Sequence, residues 1–134
     1  PIVDVNPMPL PSRSSGWGKI FVNHDSINNG YRSTCCSDAA GNYIEWDLPL
    51  GAGDWKLQAI YTTFNDAGIL RFSVDGVQVG EVNTYDPSGE FNQASVFNVH
   101  VDTAGTHTLR VTSATDPSSG GQYGYITWLR FVQQ

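Results

Sequence analysis

The stretch Ile69-Leu-Arg-Phe-Ser-Val-Asp-Gly-Val-Gln-Val-Gly80 constrains the fold more than any other part of this chain. Leu70, Phe72 and Val74 alternate with more polar positions and then meet Asp75-Gly76. A period of two puts alternate side chains on one sheet face, and Asp-Gly readily takes the positive φ angles of a tight type I′ turn. The spacing predicts a β-hairpin, with Val77 and Val79 resuming the second strand.

The same pattern recurs along the chain. Asn42 to Leu48 places Ile44, Trp46 and Leu48 on one face, with Tyr43, Glu45 and Asp47 on the other. Asp54 to Thr63 offers Trp55, Leu57, Ala59 and Tyr61; Val96 to Val101 offers Phe97, Val99 and Val101; Thr106 to Ala114 offers Leu109 and Val111. Trp17 to Asn23 reads as the first strand, and Tyr125 to Val132 is apolar on both faces, as a central strand is. Turn-rich segments separate these runs, among them Asn65-Asp-Ala-Gly68, the long loop Tyr85 to Asn92, and Asp116 to Gly121, read as a second, mobile loop. Eight or nine strands spaced roughly 8 to 12 residues apart, without helical periodicity, predict an all-β fold. Its expected form is a two-sheet antiparallel β-sandwich of jelly-roll type, with function on loops or one sheet face.

A chain of 134 residues fits one domain. Pro1, Pro7, Pro9 and Pro11 block helix and favour extended backbone, so residues 1–15 are expected to form a Pro-rich arm or linker ahead of a sandwich over residues 16–134. The start Pro1-Ile-Val-Asp lacks both a methionine and a signal-peptide plan, which suggests a fragment or processed form. Seven basic against thirteen acidic side chains give a net charge of -6, which disfavours nucleic acid as a partner. No apolar run is long enough for insertion into a membrane as a helix. Cys35 and Cys36 are adjacent and cannot staple distant parts of one fold; free thiols, a vicinal disulfide and intermolecular bridging all remain open.

No arrangement of residues carries a catalytic signature. Glu45 and Asp47 share a strand face, but adjacent carboxylates on an outer face read as solvated surface, without the apolar pocket that would raise one pKa. His24, His100 and His107 form no metal-binding spacing, and no nucleophile elbow or phosphate-binding glycine loop is present. The chain is therefore expected to be no enzyme. Binding remains, and sugars favour aromatic faces, where pyranose C–H groups stack while hydroxyls seek amides and carboxylates. Trp17, Tyr31, Tyr43, Tyr85, Tyr123 and Tyr125 fall near loops, with Asn28, Asn65, Asn83, Asn92 and Gln122 close by in sequence. Loop carboxylates Asp66, Asp75, Asp86, Asp102 and Asp116 leave calcium open, although no spaced Asp-x-Asp-x-Asp loop exists; no other cofactor is expected.

Gly53-Asp-Trp-Lys-Leu57, Asp66-Ala-Gly-Ile69, Val74-Asp-Gly-Val-Gln-Val-Gly80, Gly105-Thr-His-Thr-Leu-Arg-Val111 and Tyr125-Ile-Thr-Trp-Leu-Arg-Phe131 together resemble carbohydrate-binding modules of families 6 and 35. They also resemble related jelly-roll domains of bacteriophage tail fibres and capsid surfaces. The resemblance runs from about Trp17 to Val132 and implies a ligand site in loops at one sandwich edge, with aromatic residues near the last strand. Tyr123 and Tyr125 stand in that neighbourhood, but no Asn stands in the final strand. That strand ends in Arg-Phe, without the Asp that often completes a family calcium site.

The expected function is that of a non-catalytic, lectin-like module binding a glycan or cell-surface polymer. Tyr85, Tyr123 and Tyr125 are its expected stacking groups, and Asn92 and Gln122 its hydrogen-bonding partners. Display on a polysaccharide-active enzyme or phage particle would place it outside the cell or on a virion surface. The alternative is a structural virion, tail or capsid-decoration protein whose sandwich and arm pack on neighbouring subunits of a homo-oligomer without binding sugar.

Overall fold

A computed structural model describes residues 1–6, 13–15, 19–21, 33–35 and 40–134, with side chains at 1–4 and 40–134. Eleven strands are present among the described residues: β1 (Ile2–Asn6), β2 (Arg13–Ser15), β3 (Lys19–Phe21), β4 (Ser33–Cys35), β5 (Tyr43–Leu50), β6 (Gly53–Thr63), β7 (Ile69–Val74), β8 (Val77–Asn83), β9 (Glu90–Val101), β10 (Gly105–Ala114) and β11 (Ile126–Gln133). They form two antiparallel sheets. One runs β3-β4-β11-β6-β9, with β1 also paired to β11, and the other runs β2-β5-β10-β7-β8. This is the expected two-sheet sandwich. Its strand count exceeds the expected eight or nine because short elements in the first 35 residues join the sheets. Trp17, His24, Asn28, Tyr31 and Cys36 lie outside the described residues.

The core follows from the alternation. Ile44, Trp46, Leu48 and Leu50 of β5, Trp55, Leu57 and Ala59 of β6, Leu70 and Phe72 of β7, and Leu109 and Val111 of β10 are all buried in one cluster. Ile126, Leu129 and Phe131 of the central strand β11 complete it, and the Trp55 and Phe131 rings meet edge to face with centroids 6.3 Å apart. The β7–β8 turn carries φ values of 50° at Asp75 and 83° at Gly76, both positive as the Asp-Gly reading requires.

The amino-terminal segment departs from expectation. Ile2–Asn6 is no free arm: Ile2 pairs with Val132 and Asp4 with Arg130, while Val3 packs on the core. Arg13–Ser15 likewise pairs with Glu45 to Tyr43. Proline forbids helix but tolerates an edge strand, and these segments find their partners more than 25 residues away, beyond the reach of local pattern.

Chain direction sorts the connections. Strands β6, β8 and β10 all run toward one end of the sandwich, and β7, β9 and β11 run back from it. The β6–β7, β8–β9 and β10–β11 loops therefore gather at that end. Pro1 and Gln134 sit at the other, beside the β5–β6 turn.

Candidate functional site

The gathered loops are tied into one body around the short β6–β7 turn. On one side, the Phe64 N–H donates to the Thr84 carbonyl (3.1 Å) and the Asp86 N–H to the Phe64 carbonyl (2.9 Å), so Phe64 and Tyr85 form a parallel bridge. On the other, the N–H groups of Gln122 and Tyr123 both donate to the Asp66 carbonyl at 3.0 Å, and the Gly68 N–H donates to the Tyr123 carbonyl at 2.9 Å. Such close backbone approach needs residues without side chains. A Cβ at Gly68 would lie 2.3 Å from the Ala114 carbonyl oxygen, and one at Gly121 would lie 2.3 Å from that of Ala67.

The Asp116–Gly121 loop is held, contrary to the mobile reading. Asp116 is 2% exposed, and its carboxylate accepts bonds from the Asn83 amide (2.8 Å), the Ser119 N–H (2.9 Å) and the Ser119 hydroxyl (2.6 Å). The hydrogen bonds from Ser119 and then Asn83 hold its carboxyl below the usual carboxylate range. Asp86 is lowered in the same way, first by the Ser88 N–H and then by the Thr63 hydroxyl. Each loop is thus built around a carboxylate that organises its own backbone.

Two depressions flank the β6–β7 turn. One, of about 230 Å³, is lined by Thr62, Phe64, Ser88, Gly89, Glu90 and Phe91. The other, of about 320 Å³, is lined by Asn65, Asp66, Ser119, Gly120, Gly121, Gln122 and Tyr123.

The structure divides the five sequence-nominated residues. Gln122 and Tyr123 line the second depression, though the Gln122 amide oxygen already accepts the Ala40 N–H at 3.0 Å. Tyr85 is half-buried beside Phe64, and Asn92 is exposed just past Phe91; neither lines either of these two depressions. Tyr125 is corrected outright as a stacking group. It is 6% exposed, its ring packs near Phe64 and Tyr123 with centroids 6.3 Å away in each case, and its hydroxyl donates to both Asp66 carboxylate oxygens at 2.8 and 2.9 Å. Burial, and then the Asp66 carboxylate, push its phenol well above the ordinary tyrosine range.

Phe64, Glu90 and Phe91 are the lining residues that sequence reading missed. Asn92, with a φ of 54°, marks an extra residue in β9 between the pairs Tyr61–Gln93 and Thr63–Glu90. Burial alternation nonetheless continues past it to half-buried Phe91 and exposed Glu90, so the expected loop Tyr85 to Asn92 concealed the first residues of β9. The turn signal Asp86-Pro-Ser-Gly89, followed by Glu90 and then the aromatic Phe91, is the clue the sequence does carry.

Outside the loop end, Glu45 is not solvated surface. It is buried and receives the Arg110 guanidinium, whose Nε lies 2.6 Å from Oε1, while Asp47 accepts the Thr108 hydroxyl at 2.8 Å. Arg110 also lies over the Tyr43 ring, 3.9 Å from its centroid. Among the described residues, no three histidine, cysteine or acidic side chains converge as a metal cage.

Comparison with known proteins bears on what such a loop end does. The model of the carbohydrate-binding module (family 35) matches residues 17–119. The chain belongs to that family. Its modules are non-catalytic, so this module serves binding and not turnover. No curated protein matches it in sequence. In fold it is similar to the C-terminal family 6 module of LamC, a marine laminarinase from Zobellia galactanivorans (TM-score 0.64, 14% identity, 99% of this chain and 98% of that one). It is also similar to module CBM6cm-2 of Cellvibrio mixtus lichenase 5A, solved with cellotriose (0.66, 15%, 100% and 97%). Paenibacillus xanthan lyase matches 96% of this chain at TM-score 0.73 and 14% identity, over only 13% of its own length. At such identities the likeness speaks for the sandwich and leaves the ligand open.

Proposed function

We infer that this module holds a saccharide at the loop end, with the Phe64–Phe91 depression as the stacking subsite and the Tyr123 depression beside it. The observation that carries this reading is the pair of depressions, of about 230 and 320 Å³, on either side of one rigid turn in a member of a carbohydrate-binding family. Phe91 and Phe64 supply apolar faces for pyranose C–H groups, while Ser88, Glu90, Asn65 and the exposed loop backbone supply hydrogen-bonding partners.

The likeness to one segment of a much longer xanthan lyase supports display on a polysaccharide-active enzyme outside the cell. Pro1 and Gln134 lie at the opposite end, so a domain joined at either would leave the loops open. The rival structural role loses its main support, because Ile2–Asn6 is spent on β11 within the same chain. Shallow sites of this type bind in the micromolar to millimolar range unless copies act together.

A broad glycan array with wild type, Phe91→Ala and Tyr123→Ala tests the reading. Binding to a defined glycan, weakened about tenfold or more by Phe91→Ala, supports it. Silence of the wild type across the array, or binding indifferent to both substitutions, removes the loop end as the site.

A further inference from the structure

Among the described residues, the charges around the two depressions all have one sign. Glu90 lines the first and Asp66 the second, and Asp86 belongs to the loop that forms the first one's wall. Among the described residues, no lysine, arginine or histidine lines either depression. The described cations are engaged elsewhere: Lys56 with Asn98, Arg71 with Glu81, Arg110 with Glu45, and Arg130 with Asp4, all along the sheets. His100 and His107 are held at the opposite end, by Asp54 and Asp102 and by Asp75.

Hydrogen-bond supply points the same way. A carboxylate only accepts, and a sugar hydroxyl has a proton to donate, whereas a uronate or sulfate group offers only more acceptors. An anionic sugar would meet Glu90 and Asp66 with like charge and no donor pair; a neutral one would satisfy them.

Resting on the glycan-site reading above, we propose that this loop end selects neutral glycans and rejects those bearing uronate or sulfate groups, with Glu90 as a determinant of the discrimination. The mechanism is electrostatic repulsion together with a mismatch of acceptors. It therefore weakens in salt and on neutralising Glu90.

The test uses matched oligosaccharide pairs that differ only in the carboxylate: glucan and glucuronan, galactan and galacturonan, mannan and mannuronan, each of equal length and linkage. Affinities are measured by calorimetry or NMR titration in low salt, in about 0.5 M salt, where screening is nearly complete over a few ångströms, and with chelator or calcium present. The neutral member of at least one pair should bind about fivefold or more tightly than its uronate partner. The gap should narrow in high salt and in Glu90→Gln. Equal or tighter binding of a uronate in any pair, with or without calcium, overturns the proposal while leaving the site in place. A gap indifferent to both salt and Glu90→Gln overturns the electrostatic mechanism and the role of Glu90. Silence toward all six chains removes the proposal together with the glycan site beneath it.

Discussion

Gly121 faces the Ala67 carbonyl so closely that any added carbon must displace backbone and not a pliable side chain. Gly121→Ala is accordingly expected to cost about 2 kcal/mol, read as a lower urea midpoint at unchanged slope. Tyr125 presents a second single-atom dependency, since its hydroxyl is the described side-chain donor to Asp66. Tyr125→Phe keeps the ring packing but leaves the carboxylate without that donor, so a loss of about 1–2 kcal/mol is expected. A Tyr125→Phe protein as stable as wild type would show that water replaces the phenol without cost. What Tyr125 does was hidden in the sequence because its partner stands 59 residues away, whereas the inward roles of Leu70, Phe72 and Val74 follow from spacing alone.

At the scale of elements, β1 depends on Asp4. Its carboxylate accepts the Arg130 Nε–H at 2.6 Å and the Trp128 indole N–H at 3.2 Å, which pins an edge strand of five residues onto β11. These contacts are largely exposed, so Asp4→Ala is expected to lower global stability by less than about 1 kcal/mol. It should nonetheless speed amide hydrogen exchange through β1, while β6 and β10 stay protected. Uniform acceleration through the whole sandwich would mean that β1 and the core open as one unit. Strands β5 to β10 were legible because each carries its own period of two over most of its length, and β11 because it is apolar on both faces. Element β1 was not, because five residues among prolines carry no turn or repeat that names a partner. The start of β9 was obscured similarly: one inserted residue alters no composition, yet it shifts which residues of β6 and β9 pair.

Across the whole molecule, acid–base groups sort to the two ends. Away from the loops, His107 has Nδ1 2.6 Å from an Asp75 carboxylate oxygen and Nε2 2.7 Å from the Thr103 carbonyl. Both partners are acceptors, so the doubly protonated ring satisfies them best. The bonds to Asp75 and then Thr103 raise the His107 pKa, and the bond to Asp54 foremost raises that of His100. A raised folded-state value contributes stability that is full below the ordinary histidine value near 6.5 and fades as pH rises through the folded one. Asp86 and Asp116 are lowered. So is Asp75, where burial is outweighed by the bonds from His107 and Thr108. Their contribution is full above the ordinary value of 3.8 and is lost as pH falls through the depressed ones. Maximal stability is expected between these limits. Thermal melts from pH 6 to 9 should show a falling midpoint that flattens in His107→Gln, and matching profiles for the two proteins would exclude the imidazole as the cause.

The antiparallel pairing of β1 with β11 brings the Gln133 N–H to 3.0 Å from the Pro1 carbonyl. A short peptide splice from Gln134 back to Pro1 would thus convert the molecule into a closed ring with little rearrangement. New termini could then be cut into the β5–β6 turn, on the side remote from the depressions, giving a permuted scaffold whose loop end is untouched.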